Sequence, residues 1–169
     1  GVESNAKARN ICLQSNIEVQ STESKLPLAS YDTLSLWHVL EHLPEPESRL
    51  ATYREFLKPE GILVIAVPNF ESHDRIHYQQ HWAALDVPRH LWHFTPKGLI
   101  NMAEASGFDL LQKRALGLDV FYISYLSEKH RGKSLPFVRG ILKAVWFSFK
   151  GFFSGKHSSC VFVFRKRLP

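Results

Sequence analysis

Three residues able to do proton or metal chemistry lie within five positions of one another. His38, Glu41 and His42 follow the apolar run Tyr31–Leu36, and Pro68-Asn69 closes a second apolar run, Ile62–Val67. Between the runs sits a segment with helical patterning over about Pro46–Leu57. A strand, a crossover of more than a dozen residues and a second strand make a βαβ unit with parallel strands. Its strands are nearly continuous apolar runs, as expected when helices cover both sheet faces. Ligands of open α/β sheets bind at the carboxyl ends of the strands, which places His38, Glu41, His42 and Asn69 on one rim. An imidazole titrates near neutrality and can take a proton from a hydroxyl. On this ground His42, on the rim, and His90, in the segment 70–93, are the candidate general bases. A histidine hydrogen-bonded at a loop or helix end is the plainer reading of each.

His73, His77 and His81 would share one face if helical, but no His-Glu-x-x-His motif or cysteine pair accompanies them. Scattered loop histidines account for them better than a zinc centre does.

The elements that must position these residues read in order as follows. Ser4 is a fair N-cap for a helix over Asn5–Gln14 anchored by Ala6, Ile11 and Leu13, and Ile17–Gln20 is a short strand. Residues 70–93 are rich in His, Trp and Arg without a sustained apolar period, as in a functional loop or lid. Thr95 and Pro96 open a helix that Gly107 stops, and Phe108–Ala115 is a strand. Residues 118–128 mix aromatic and β-branched side chains and fit helix or strand. Ser159–Phe164 is the last strand. Alternating strand and helix signals over 169 residues give one α/β domain with a mainly parallel sheet.

Charge is unevenly spread. No Asp or Glu follows Glu128, whereas residues 129–169 carry ten Lys or Arg, so a front of −5 precedes a tail of +10. Within the tail, Pro136–Phe153 reads as a helix that is apolar except for Arg139, Lys143 and Lys150 on one narrow stripe. That pattern suits a helix lying in a membrane interface; a packed lid or dimer helix is the alternative. The tail therefore points to an anionic membrane surface rather than to nucleic acid, or else to a merely solvated rim. Two cysteines, Cys12 and Cys160, make no disulfide framework, and neither a signal peptide nor an apolar run of membrane-spanning length is seen. The expected setting is cytoplasmic with membrane association.

The motifs WHVLEHLPEP, LKPEGILVIAVPN, PRHLWHFTPKGL and AEASGF, in this order, resemble class I S-adenosylmethionine-dependent methyltransferases. The similarity covers about residues 1–115 and leans toward the ubiquinone-biosynthesis O-methyltransferases. It implies a Rossmann-like doubly wound, mainly parallel sheet with an antiparallel last strand. Here that sheet would lack its first strand and glycine-rich cofactor loop, and a helical, aromatic insertion over 116–157 would precede the last strand. It implies S-adenosylmethionine as cofactor, with Glu3 at the ribose, Thr22 and Glu23 at the adenine, and Leu36, Trp37 and His38 at the methionine end. Glu41, Asn69, Trp82 and Arg89 would meet the acceptor. In the ubiquinone branch a Glu-x-x-Glu-His pattern serves a divalent ion; here it reads His38-x-x-Glu41-His42, a set less suited to Mg²⁺, and no metal centre is assigned. The implied function is methyl transfer to a small or lipid-like acceptor, most readily to oxygen. A degenerate or truncated module that binds a partner without catalysis is the alternative.

Overall fold

A computed structural model describes residues 1–168. Its sheet has four strands: β1 (Tyr31–Trp37), β2 (Leu57–Pro68), β3 (Phe108–Ala115) and β4 (Ser159–Lys166). They lie in the order β1-β2-β4-β3. β1 and β2 are parallel, in register from Thr33↔Ile62 to Trp37↔Ala66, as the crossover between them requires. β4 enters antiparallel to both β2 and β3. The class is therefore the expected α/β one, with the last strand reversed. The ladder jumps between Tyr31↔Leu57 and Thr33↔Ile62, so residues 58–61 loop out around Glu60, whose φ is 58°.

The helices are α1 (Ala6–Gln14), α2 (Pro46–Phe56), α3 (His73–Tyr78), α4 (Pro96–Ala105), α5 (Asp119–His130) and α6 (Pro136–Ser154). α4 starts as its sequence dictates: Thr95 Oγ1 accepts the Gly98 N–H, Pro96 fills the first turn, and Gly107 follows at φ 85°.

Three expectations near the start fail. The cap of α1 is Asn5, not Ser4, with Oδ1 accepting from the N–H groups of Lys7 and Ala8. Ile11 and Leu13 are exposed rather than anchors, and no residue of α1 is buried. Ile17–Gln20 is not a strand either. Only Gln20 pairs, through a single parallel bridge to Val2.

Two cores hold the chain. The larger packs Leu63, Ile65 and Val67 of β2 and Phe162 and Phe164 of β4 against α2 and α4 through Leu50, Tyr53 and Leu99. Each such side chain contributes about 1.5–3 kcal/mol by leaving water. The smaller joins Tyr78, Trp82 and Ala84 to Val120 and Ile123 of α5 and to Ala144 and Phe147 of α6. Residues 70–93 are thus less of a loop than their composition suggests, since α3 and two short 3₁₀ turns, Gln79–His81 and Ala83–Leu85, fold onto α5 and α6.

Glu128 of α5 is buried beside Arg139 of α6, whose Nε donates to Oε2 at 2.9 Å. Burial alone would raise its pKa, but the Arg139 hydrogen bond, with Tyr78 and the Arg131 charge, outweighs burial and holds it below the usual value. A depressed carboxylate stabilises the fold at pH above its unfolded value, near 4.3, and the stabilisation fades as pH falls through the folded value. Resistance of the wild type to chemical unfolding should therefore weaken on the acid side of about pH 4.5. In Glu128→Gln that part of the acid-side loss should disappear.

Candidate functional site

The rim forms where β1 ends. The His38 N–H donates to the Ala66 carbonyl, extending the parallel ladder by one residue, and its φ of 51° turns the chain sharply out of the strand. The 3₁₀ turn Leu40–His42 follows. Loop 86–93 is clasped onto this turn. The N–H groups of Leu91 and Trp92 both donate to the Glu41 carbonyl, at 2.8 and 3.2 Å. Trp92 Nε1 donates to the Leu43 carbonyl, and His42 Nδ1 meets the Arg89 carbonyl at 3.0 Å.

The two candidate bases, 48 positions apart in sequence, are neighbours here. The rings of His42 and His90 lie edge to face with centroids 4.7 Å apart. His90 Nδ1 reaches the Ala84 carbonyl at 2.8 Å. Burial lowers the His90 pKa. A neutral ring that donates from Nδ1 keeps its lone pair on Nε2, the form a general base needs.

His38 behaves oppositely. Its Nε2 pairs with Asp119 Oδ2 at 2.9 Å and its Nδ1 with Glu41 Oε1 at 3.2 Å. The Asp119 carboxylate, with that of Glu41, raises its pKa to about 9. At neutral pH it is an imidazolium clamped between two carboxylates, which ties the end of β1 to α5. A charged ring with both nitrogens engaged is neither base nor metal ligand. Asp119 escaped notice in the sequence because residues 118–128 fit helix or strand, and only a helix beginning there aims its first turn at the rim.

The remaining residues divide between groove and packing. Glu3, Glu23 and Leu36 line a groove of ≈ 560 Å³ along β1, between it and the Val2–Gln20 bridge. Glu3 Oε1 accepts the Asn5 N–H. Both Glu23 oxygens are in use, from Arg49 Nη1 at 3.0 Å and the Tyr53 hydroxyl at 2.8 Å. Thr22 caps the turn that carries Glu23 and lies outside the groove. Trp37 is half exposed on the rim.

Asn69 and Trp82, expected at the acceptor, are buried and engaged elsewhere. Asn69 Nδ2 donates to the His157 carbonyl and Oδ1 accepts the Glu71 N–H, while Trp82 Nε1 donates to Asp74. They hold the lid in place. Arg89 is exposed, 3.3 Å from Asp86.

Comparison with known proteins gives the same fold. Over 99% of its length the chain superposes on an S-adenosylmethionine-dependent methyltransferase of Thermotoga maritima, at 16% identity and a TM-score of 0.66, spanning 72% of that protein. The cyclopropane synthase MmaA2 of Mycobacterium tuberculosis matches 98% of the chain at 13% identity with a TM-score of 0.62, and the chain spans 69% of it. Phosphoethanolamine N-methyltransferase 2 of Haemonchus contortus, solved with S-adenosyl-L-methionine, matches 99% at 13% identity with a TM-score of 0.59. The chain spans 43% of that enzyme. No curated protein matches the chain in sequence. At such identities the likeness is one of fold. A family model described as methyltransferase domain, however, matches residues 1–113, two thirds of the chain, and by that match the chain belongs to the methyltransferase domain family.

Proposed function

We propose that this chain takes part in S-adenosylmethionine-dependent methyl transfer to the oxygen of a small or lipid-like acceptor, at a membrane surface. The observation that carries the reading is the rim itself. The turn that follows β1 carries His42 with a neutral His90 packed against its ring, and the groove along β1 reaches Val39 and Leu43 on either side of that turn. The groove's ≈ 560 Å³ is the size of a small-molecule site and has the Glu3 carboxylate at its edge, so the residues present fit the cofactor.

The cofactor, when bound, supplies an electrophilic methyl on a sulfonium. The chain's residues would do the rest. Loop 86–93 and the rim would exclude water and align the acceptor hydroxyl, the positioning that in-line displacement depends on. His90 Nε2 would receive the hydroxyl proton as the O–CH₃ bond forms and the S–CH₃ bond breaks. His38, held charged, would keep the end of β1 in place.

β1 is the edge of the described sheet, and the free edge faces the groove. An extended segment bearing a glycine-rich loop would complete both sheet and cofactor cradle there, in line with the resemblance to the ubiquinone-biosynthesis enzymes. Calorimetric titration with S-adenosylmethionine, of this chain and of this chain joined to such a segment, tests the reading. Binding by the joined chain and transfer to a phenolic acceptor, lost in His90→Ala, is the expected result. Tight binding without turnover on any phenol or lipid-like phenol would sink the catalytic part.

α6 supports the membrane half. It buries only Gly140, Ala144, Phe147 and Gly151, while Phe137, Leu142, Val145, Trp146, Phe149, Phe152 and Phe153 are each more than half exposed. At about 100° per residue those apolar side chains cover roughly half of the helix, with Arg139, Lys143 and Lys150 on the border between them and the buried stripe. No helix among the described residues is long and apolar enough to cross a membrane. An exposed apolar face edged by cations matches anionic lipid, where each basic side chain near the surface contributes about 1 kcal/mol. Lys143→Glu and Lys150→Glu together, with Arg139 left to pair with Glu128, should therefore abolish co-sedimentation with phosphatidylserine vesicles. Undiminished sedimentation would defeat the interfacial role.

A further inference from the structure

The pattern that serves a divalent ion in the ubiquinone branch would use His38, Glu41 and His42. Those three do not form a ligand set here, because both ring nitrogens of His38 are engaged by carboxylates. A different third partner has moved in. Glu41, His42 and His90 each present a ligand atom, and the three atoms lie within 4.8 Å of one another.

The details around them favour coordination. Glu41 is 1% exposed, and its Oε2 has no hydrogen-bond partner. A buried carboxylate oxygen left unpaired is costly and calls for an occupant. His42 Nδ1 and His90 Nδ1 both point at backbone carbonyls, of Arg89 and Ala84. A carbonyl only accepts, so each Nδ1 carries the proton and each Nε2 carries the lone pair. Metal-binding histidines are set in this way, one nitrogen tied to a carbonyl or carboxylate and the other on the ion. Glu41 is itself oriented by His38 through Oε1, which leaves Oε2 for a ligand.

We propose that Glu41, His42 and His90 form a mononuclear site for a divalent transition ion of the zinc class. Two imidazoles and one carboxylate suit Zn²⁺, Fe²⁺ or Co²⁺ and not Mg²⁺, which prefers oxygen and retains its water. Bonds of about 2.0–2.2 Å around such an ion put its donors roughly 3–3.5 Å apart, so a shift of about 1 Å by the side chains closes the site. The ion ties the turn at the end of β1 to loop 86–93, in the place where the Glu41 carbonyl already receives two N–H groups from that loop. The site goes beyond the methyl-transfer reading and does not depend on it. Where both hold, His90 would be a ligand of the ion and not the proton acceptor, and the ion would lower the pKa of a bound acceptor hydroxyl, whose proton would leave to solvent.

The test uses the metal alone. Protein stripped with chelator and dialysed against Zn²⁺ should retain about one ion per chain by elemental analysis and unfold at a higher temperature than stripped protein. With Co²⁺ it should show the visible absorption of a nitrogen-ligated ion. Glu41→Gln and His90→Gln should each weaken binding by more than about tenfold. His93→Gln should not, since the His93 ring is 6.3 Å from that of His90 and its Nε2 is taken by the Leu85 carbonyl. Circular dichroism of each variant establishes that it is folded. Retention of much less than one ion by the wild type, or retention unchanged in both ligand variants, overturns the site. Neither result depends on whether methyl transfer occurs.

Discussion

Gly140→Val should cost about 3 kcal/mol and loosen α6 from α5. A Cβ on Gly140 would stand 2.7 Å from Tyr125 Cα and 2.8 Å from its nitrogen, closer than such atoms approach. The obstacle is the backbone of α5, so no side chain can swing aside. Either the helices part or α5 shifts, and both disturb the packing of Val120, Ile123, Ala144 and Phe147. Replacing a helical glycine gains up to about 1 kcal/mol in propensity with alanine and less with valine, too little to reverse the sign. Gly140→Ala should therefore also destabilise, by less. Gly151→Ala is the contrast, because the nearest atoms to its Cβ would be those of the His157 ring at 2.8 Å, a side chain that can turn. Urea unfolding of the three variants gives the order. Equal stability of Gly140→Val and wild type would show that the helices do not cross at this glycine.

The close crossing explains why α6 exposes so much apolar surface. A helix that crosses its neighbour at a glycine, Gly140, and turns only Ala144 and Phe147 into the core beside it buries little area for its length. Its large side chains are left to the other face. Charge follows the same division, with Arg139 reaching back to Glu128 at 2.9 Å while Lys150 remains exposed.

The sequence disclosed most where local and tertiary demands agree. The unit over residues 31–69 was readable because a parallel, doubly covered strand pair needs continuous apolar runs, and α4 because Thr95, Pro96 and Gly107 sit where helix ends need them. α5 was not readable. Its buried positions, Val120, Ile123, Ser124, Ser127 and Glu128, follow a helical period, but three of the five are polar and hide the stripe. The aromatic and β-branched residues between them argue for a strand. α1 misled in the other direction, since its apolar residues find nothing to pack on among the described residues. At the site, His38, Glu41 and His42 were found through their spacing. The approach of His90 and Asp119 could not be, because it depends on how the lid and α5 fold back over the rim.

Asp74→Ala should be the most damaging polar substitution, at about 3–5 kcal/mol, because three elements meet on one carboxylate. Asp74 is fully buried in the first turn of α3, and its Oδ2 accepts from Trp82 Nε1 at 2.7 Å and from the Ser158 hydroxyl at 2.6 Å. Removing it leaves two buried donors unpaired, at about 1–3 kcal/mol each, together with a cavity under the Trp82 ring. Asp74→Asn keeps one acceptor oxygen and should lose distinctly less. Ser158→Ala should cost about 1–2 kcal/mol in the wild type and almost nothing in Asp74→Ala, the non-additivity expected of partners in one network. Trp82 fixes where the lid turns toward the Ala84 carbonyl that orients His90, so Asp74→Ala should also blunt any function that needs His90. A folded Asp74→Ala with wild-type stability would mean that the lid is held by apolar packing alone. Recovery of His90-dependent function in Asp74→Asn but not in Asp74→Ala would instead assign the lid's register to this hydrogen-bonded centre, remote from the reacting groups.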